Sequence, residues 1–281
     1  MENDNNIDSI ELEQPESRDL HESAKKPFWK RLWRFVWITA LILIVLPMLL
    51  LVVYRWANPP LTPLMVQRFF QQLSDSDRPV RFERHNVDID DISPNLITAV
   101  VYAEDGLFQY HKGFDVKQMK IAYREHRSGR RTRGASTISQ QTAKNTFLPH
   151  SRTLLRKGAE VYYTALIEMV WGKKRIMEVY LNIVEFGDGI YGCEAASQHY
   201  FGHSAAKLTR QEASQLAATL PSPLKRNPAH QSPYFKRQAS TIQQRFKWGD
   251  VNINEPNEKI KNKYKDQESL LDFFRWYLKQ K

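Results

Sequence analysis

The apolar positions of this chain fall into two regimes. From Phe35 to Tyr54, "FVWITALILIVLPMLLLVVY", twenty residues carry no charge. A helix of that length spans the hydrocarbon core of a bilayer. The run is too long for the apolar part of a signal peptide, and no small-residue cleavage site follows it. Pro47 is expected to kink it. Beyond residue 57 the apolar residues recur mostly at helical spacing. "LMVQRFFQQL" (64–73) is amphipathic through Leu64, Phe69, Phe70 and Leu73; packing on the domain and lying at an interface fit it equally. The mixed stretch 78–90 has room for a short strand. Ser93-Pro94 opens a helix whose stripe is Ile97, Val100 and Val101. Another helix starts at Ser136 or Thr137. A longer one runs from Thr153 to Trp171, where Gly172 ends it, and 173–182 form the next. A glycine-rich turn at "FGDGIYG" precedes a short helix to Tyr200. Thr209 and Glu212 form a capping box for a helix that Pro221 closes. The polar stretch 252–267 reads as a linker, and "SLLDFFRWYLKQK" as a terminal amphipathic helix. Few stretches alternate with period two, so a mostly helical domain is expected, without internal repeats.

Charge adds a direction. The net charge is +10, but residues 1–22 hold eight acids against Arg18 alone. That head, at −7, is too polar to fold and leaves +17 for the rest. A basic body calls for an anionic partner. Lys25, Lys26, Lys30, Arg31 and Arg34 precede the apolar run and only Arg55 directly follows it, while Trp33, Trp37 and Trp56 sit at its ends. The positive-inside rule then puts residues 1–34 in the cytoplasm, a transmembrane helix at 35–56 and the remainder outside. Nucleic acid is out of reach there, which leaves lipid headgroups or a phosphate-bearing molecule presented at the membrane. The single cysteine, Cys193, excludes an intrachain disulfide.

Three stretches carry candidate chemistry. In "AVVYAEDGLFQYHKGFD" (99–115) the apolar stripe continues to Glu104, near a helix C-terminus. Desolvation and the negative end of the helix dipole both disfavour its charge, which makes a better general base near neutral pH. A surface glutamate ending a helix fits the pattern as well. Asp105 suits a cap or turn, and His111 is more often structural than catalytic. In "GASTISQQTAKN" (134–145), a cap at Ser136 would aim backbone amides at an anion. Gln140, Gln141, Lys144 and Asn145 follow on one helical face, suited to a sugar or phosphate. The alternative is a solvated face, though such faces are usually richer in Glu and Lys. In "SRTLLRKGAE" (151–160), Arg156, Lys157 and Glu160 have the spacing of ordinary helix-surface ion pairs. Between the first two lies "REHRSGRRTRG" (124–134), an arginine-dense stretch read as a loop that stays mobile until an anion neutralises it.

Taken in order, these stretches resemble the peptidoglycan glycosyltransferases, and among them the monofunctional biosynthetic transglycosylases of Gram-negative bacteria. The first motif is Glu104, Asp105, Phe108, His111 and Gly113. The second is Gly134, Ser136, Thr137, Ile138, Gln140, Gln141, Lys144 and Asn145, with Ala135 where many relatives have glycine. The third is Arg156, Lys157 and Glu160; the fourth is Arg175, Ile176, Tyr180, Leu181 and Asn182; the fifth spans 186–202. The resemblance stops near Pro228.

The resemblance implies a mainly α, lysozyme-like, two-lobed glycosyltransferase domain at 57–250 behind one transmembrane helix, with 251–281 an extension of no assigned role. It implies polymerisation of lipid II, onto a lipid-linked glycan as donor, at the outer face of the bacterial inner membrane. Glu104 would be the base, Lys144 and Arg152 would meet the leaving pyrophosphate, and Glu160 would orient them, assist the leaving group or hold a divalent metal. Asp105, Ser136, Thr137, Gln140, Gln141, Asn145, Arg156 and Lys157 would bind substrate. No cofactor is required, with Mg or Mn the candidates if Glu160 holds a cation. Ser-x-x-Lys matches at Ser23, Ser204 and Ser222 lack the companion boxes of a transpeptidase. A lysozyme-type hydrolase and a non-catalytic scaffold for other cell-wall synthesis proteins are the competing readings.

Overall fold

A computed structural model describes residues 25–77, 79–129, 134–149, 151, 153–264 and 268–280, excluding the side chains of 25–27, 40, 42–44, 259 and 263. The acidic head, Arg130, Arg131, Arg133 and Arg152 lie outside the described residues. The chain divides into two compact units, Met1–Met48 and Leu49–Lys281.

Helix α1 (Lys25–Val53) runs 29 residues and continues through Pro47. It stops at Val53, three residues short of the expected span, because Tyr54 to Trp56 form a turn. Trp29, Trp33, Phe35, Trp37 and Leu41 are all exposed. Among the described residues no helix is long and apolar enough to cross a membrane.

In the second unit, the segment from Leu49 is fixed to the domain. The Leu51 carbonyl accepts from the Trp171 indole at 2.7 Å, and Arg175 donates to the carbonyls of Tyr54 (3.0 Å) and Ala57 (2.7 Å). Helix α2 (Pro63–Leu73) is capped by Thr62. It buries Leu64 and Met65 while Phe70 and Leu73 remain exposed, so it packs on the domain and still offers an apolar edge. Strand β1 (Glu83–Arg84) follows, then α3 (Pro94–Glu104), α4 (Val116–Arg127), α5 (Ile138–Phe147), α6 (Leu154–Val170) and α7 (Gly172–Ile183). Strands β2 (Glu185–Gly187) and β3 (Ile190–Tyr191) lead to α8 (Cys193–Phe201), α9 (Arg210–Thr219), α10 (Pro233–Arg245), α11 (Glu258–Lys263) and α12 (Leu270–Leu278). The unit is mainly helical.

The expected starts at Ser93, Thr153 and Thr209 are real N-caps, each accepting a backbone N–H two or three residues on. Helix α3 is apolar on nearly every side, and Leu96 through Val101 are all buried, as a central helix requires. It packs against α9 and α10, while α5 packs against α6 and α7. Gly172 does more than end a helix: its φ of +73° turns the chain so that α7 starts at once.

The glycine-rich turn is a hairpin. Asp188 and Gly189 connect β2 to β3 antiparallel, and β1 pairs parallel to β3. Gly189 has φ +75°, and a Cβ there would lie 2.1 Å from the Arg81 carbonyl oxygen. Gly189→Ala is therefore expected to lower stability by on the order of 3 kcal/mol, read as a reduced urea midpoint at unchanged slope.

Two expectations are corrected. Arg124 and Arg127 are not in a loop, because α4 extends to Arg127 from an N-cap at Asp115, which accepts the Gln118 N–H at 2.9 Å. Nor is 252–267 a simple linker. Val251 N–H bonds the Thr98 hydroxyl (3.0 Å), Asn257 N–H bonds the Tyr110 hydroxyl (3.2 Å), α11 forms, and Tyr264 stacks on Tyr110. The segment straps the middle of α3 to the loop that follows the helix.

Candidate active site

Glu104 is the last residue of α3. Its Oε2 accepts from Gln141 Nε2 on α5 at 2.7 Å, and Gln141 Oε1 accepts from the Tyr180 hydroxyl on α7 at 3.2 Å. Tyr180 is fully buried, so the relay is held from the core. Burial pushes the Glu104 carboxyl above its ordinary range and Asp105 adds to the shift, while the Gln141 bond, Lys144 and Arg226 oppose it. A half-buried carboxylate at a helix C-terminus, with one hydrogen bond and cations at a distance, holds a proton more readily than a free one.

Asp105 organises the backbone around Glu104. Both its oxygens lie 2.9 Å from His111 Nε2, and Oδ2 also accepts the Ile138 N–H at 3.0 Å. His111 Nδ1 accepts the Gly113 N–H at 3.1 Å, so the ring proton sits on Nε2 and donates to Asp105. Asp105 thus ties the end of α3 to the first turn of α5. That turn is closed by a capping box in which Thr137 and Gln140 bond each other's backbone, and the Thr137 hydroxyl also donates to the Gly113 carbonyl at 2.7 Å. Gly113, at φ +86°, has no room for a Cβ, which would fall 2.8 Å from Thr164 Cγ2. Asp105→Ala strands two buried donors, at about 1–3 kcal/mol each. Its melting temperature is expected to fall by roughly 6–12 °C, measured by calorimetry, with activity lost in parallel.

Lys144 lies one turn beyond Gln141 on the same helix. Among the described residues its ammonium makes no hydrogen bond or ion pair, while its backbone carbonyl accepts the Leu148 N–H at 3.0 Å. Burial lowers its pKa, Glu160 and Glu104 pull it back up, and Arg156 and Lys157 push it down. Lys144 is therefore electrostatically coupled to both carboxylates. Glu160 is buried on α6 and accepts from Arg156 Nη1 at 2.6 Å and from Lys157 Nζ. With one cation on each oxygen, Glu160 is not a divalent-metal ligand set, and no cluster of three metal-ligating side chains occurs among the described residues. As paired here, Glu160 offers neither oxygen free to a divalent cation.

The geometry sorts the residues expected from sequence. Glu104, Gln141, Lys144 and the Arg156–Lys157–Glu160 group are linked by bonds or charge. Asp105, Thr137 and Gln140 are buried, and both oxygens of Asp105, the Thr137 hydroxyl and the Gln140 Oε1 are bonded within the fold. Ser136 is exposed just before the cap. Asn145 is buried, and among the described residues its Oδ1 has no partner. Arg226 is a residue the sequence reading missed. It follows α9, lies over the Tyr234 ring at 4.9 Å, and its charge acts on Glu104. Only the basic character of "PLKRNP" hinted at it.

A mainly helical domain with this carboxylate and these cations matches the family model described as Transglycosylase over residues 71–247. The chain belongs to the transglycosylase family. It is similar to the biosynthetic peptidoglycan transglycosylase of Caulobacter vibrioides, 51% identical over 187 residues, which are 66% of this chain and 78% of that protein. It is also similar to the proteins of that name from Shewanella oneidensis (43% over 228 residues; 80% and 96%) and Bacteroides thetaiotaomicron (47% over 194 residues; 69% and 78%).

Proposed function

We propose that this chain polymerises lipid II into linear β-1,4 glycan strands of peptidoglycan, with inversion at the anomeric carbon and release of undecaprenyl pyrophosphate. The observation that carries the reading is the pairing of Glu104, whose burial raises its pKa, with Lys144 one turn beyond Gln141, whose ammonium has no partner among the described residues. Glu104 takes the proton of the acceptor 4-hydroxyl as that oxygen bonds to the donor anomeric carbon. The bond from that carbon to the pyrophosphate oxygen breaks, and the electron pair leaves with the phosphate. Lys144 meets the charge that develops there, and Arg152 is the second candidate for that role. Glu160 holds Arg156 and Lys157 in place and sustains the charge of Lys144. Gln141 orients the Glu104 carboxylate; Ser136, Asn145 and Arg226 contact sugar or phosphate. Asp105, Thr137 and Gln140 act indirectly, by fixing the first turn of α5. No step needs a metal.

An enzyme of peptidoglycan synthesis works at the cell envelope. In our reading α1 anchors it there as a single span with a cytoplasmic N-terminus, and the two helix groups form the lobes of a lysozyme-like domain outside. The exposed tryptophans of α1 and the length of its helix support that anchor. Offering lipid II and preformed glycan strands in parallel tests the reaction class. A transferase consumes only the lipid-linked substrate and releases lipid pyrophosphate as it does so. Shortened strands would instead mark a hydrolase.

A further inference from the structure

The matched family region ends at residue 247, yet the chain continues into ordered structure. Helix α12 packs on α4 through one face. Trp276 and Tyr277 meet the Tyr123 ring edge-on at 5.4 and 5.2 Å. Lys120 and Arg124 lie over Trp276 at 5.4 and 5.5 Å. Lys120 pairs with Glu268 at 2.6 Å, and Arg127 donates to the Gln280 carbonyl at 2.9 Å. The opposite face is also apolar. Leu271, Phe274 and Leu278 fall on one stripe at spacings of three and four, and they are 68%, 47% and 68% exposed. A surface helix normally turns polar residues outward, so a second apolar face needs a cover.

We infer that this stripe is a membrane-docking surface that lies in the interface of an anionic phospholipid leaflet. The surrounding charge selects that occupant. Residues 116–129 and 268–280 together carry six lysines and arginines against three acids. Of those acids Glu268 is neutralised by Lys120, and Asp272 caps α12. Arg275, which also lies 3.7 Å from Asp272, and Lys279 are both exposed along one edge of the stripe. Apolar side chains edged by long basic ones suit the boundary between acyl chains and anionic headgroups. A bilayer is within reach if α1 is the anchor; the inference rests on that part of the proposed function and not on the chemistry of Glu104. Through its contacts with α4, a docked α12 would hold α4, the helix that leads into the arginine-rich segment, at the leaflet.

The test uses the full chain carrying Leu278→Cys, labelled with a bimane fluorophore in detergent. Cys193 is fully buried, and unsubstituted protein serves as the labelling control. The protein is reconstituted into phosphatidylethanolamine–phosphatidylglycerol vesicles, with quenching by chain-brominated lipid or by iodide on both sides. Quenching by brominated lipid several-fold above that by iodide is expected, and it should fall when phosphatidylcholine replaces the anionic lipid. Strong iodide quenching with none from lipid would overturn the inference. So would protection from both quenchers, which would mean a second copy or another protein covers the stripe. Equal lipid quenching in both vesicle types would overturn the anionic preference. Phe274→Cys repeats the measurement on the same stripe if Leu278→Cys yields poorly folded protein, and polymerisation of lipid II by each labelled chain reports separately on the proposed activity.

Discussion

Glu104→Gln lowers the rate of glycan polymerisation by about 10²–10⁴, the range for a positioned general base, and leaves the protein at least as stable as its parent. The amide keeps the shape of the carboxyl and a hydrogen-bonding group toward Gln141, but it cannot accept the proton. The stability expectation follows from burial. The folded-state pKa of Glu104 is raised above the unfolded one, chiefly by desolvation. Above the folded pKa, holding the ionised carboxylate in the site therefore costs stability, and that cost vanishes below the unfolded pKa. Glutamine removes it at neutral pH. The same shift fixes the pH profile of the unsubstituted enzyme. Activity needs the ionised base, so the acidic limb should lie above the range of an ordinary glutamate. Initial rates against pH, with a thermal melt of both proteins, check all three points. A melt that collapses in Glu104→Gln would assign the residue to the fold instead of the reaction.

Lys144→Ala has the second-largest effect, a loss of about 10²–10³ in turnover, comparable to removing one preorganised donor from developing charge. Among the described residues the ammonium of Lys144 has no partner of its own, and Glu160, already held by two cations, is electrostatically coupled to it. That arrangement leaves Lys144 free to meet a phosphate oxygen whose charge grows as the bond to the anomeric carbon breaks. An interaction that strengthens toward the transition state lowers kcat and kcat/KM together and leaves KM nearly unchanged. Lys144→Arg keeps the charge and should recover part of the rate. Steady-state kinetics on labelled lipid II separate this outcome from a rise in KM alone, which would make Lys144 a simple anchor for the substrate.

Features set by neighbours along the chain were legible in the sequence. The caps at Ser93, Thr153 and Thr209 depend on residues two or three positions away, and all were read from spacing. The stripe that carries Glu104 into the domain was read the same way, and its desolvation follows from it. Helix α4 was not, because its cap is a single aspartate and its mean character is polar; aromatic contacts with α12, some 150 residues on, cover it. The roles of Asp105 and Arg226 were hidden for a related reason. Asp105 reaches Ile138, and Arg226 acts on Glu104, only after α3, α5 and α9 have packed. Sequence gave Thr137 and Gln140 as substrate contacts from their motif; the capping box that occupies them belongs to the local geometry of α5. The polar stretch from Val251 lacked apolar periodicity; two of its attachments are backbone N–H groups bonding Thr98 and Tyr110, and a third is the single ring of Tyr264 on Tyr110, none of which a periodic side-chain pattern reveals.

The central claim is tested most directly by incubating the detergent-purified full chain with labelled lipid II and resolving the product by size before and after muramidase. A ladder of long strands that muramidase collapses, formed by the unsubstituted protein and absent with Glu104→Gln, is the expected result. Lipid II left intact by folded, unsubstituted protein, or an equal ladder from both proteins, would contradict the account.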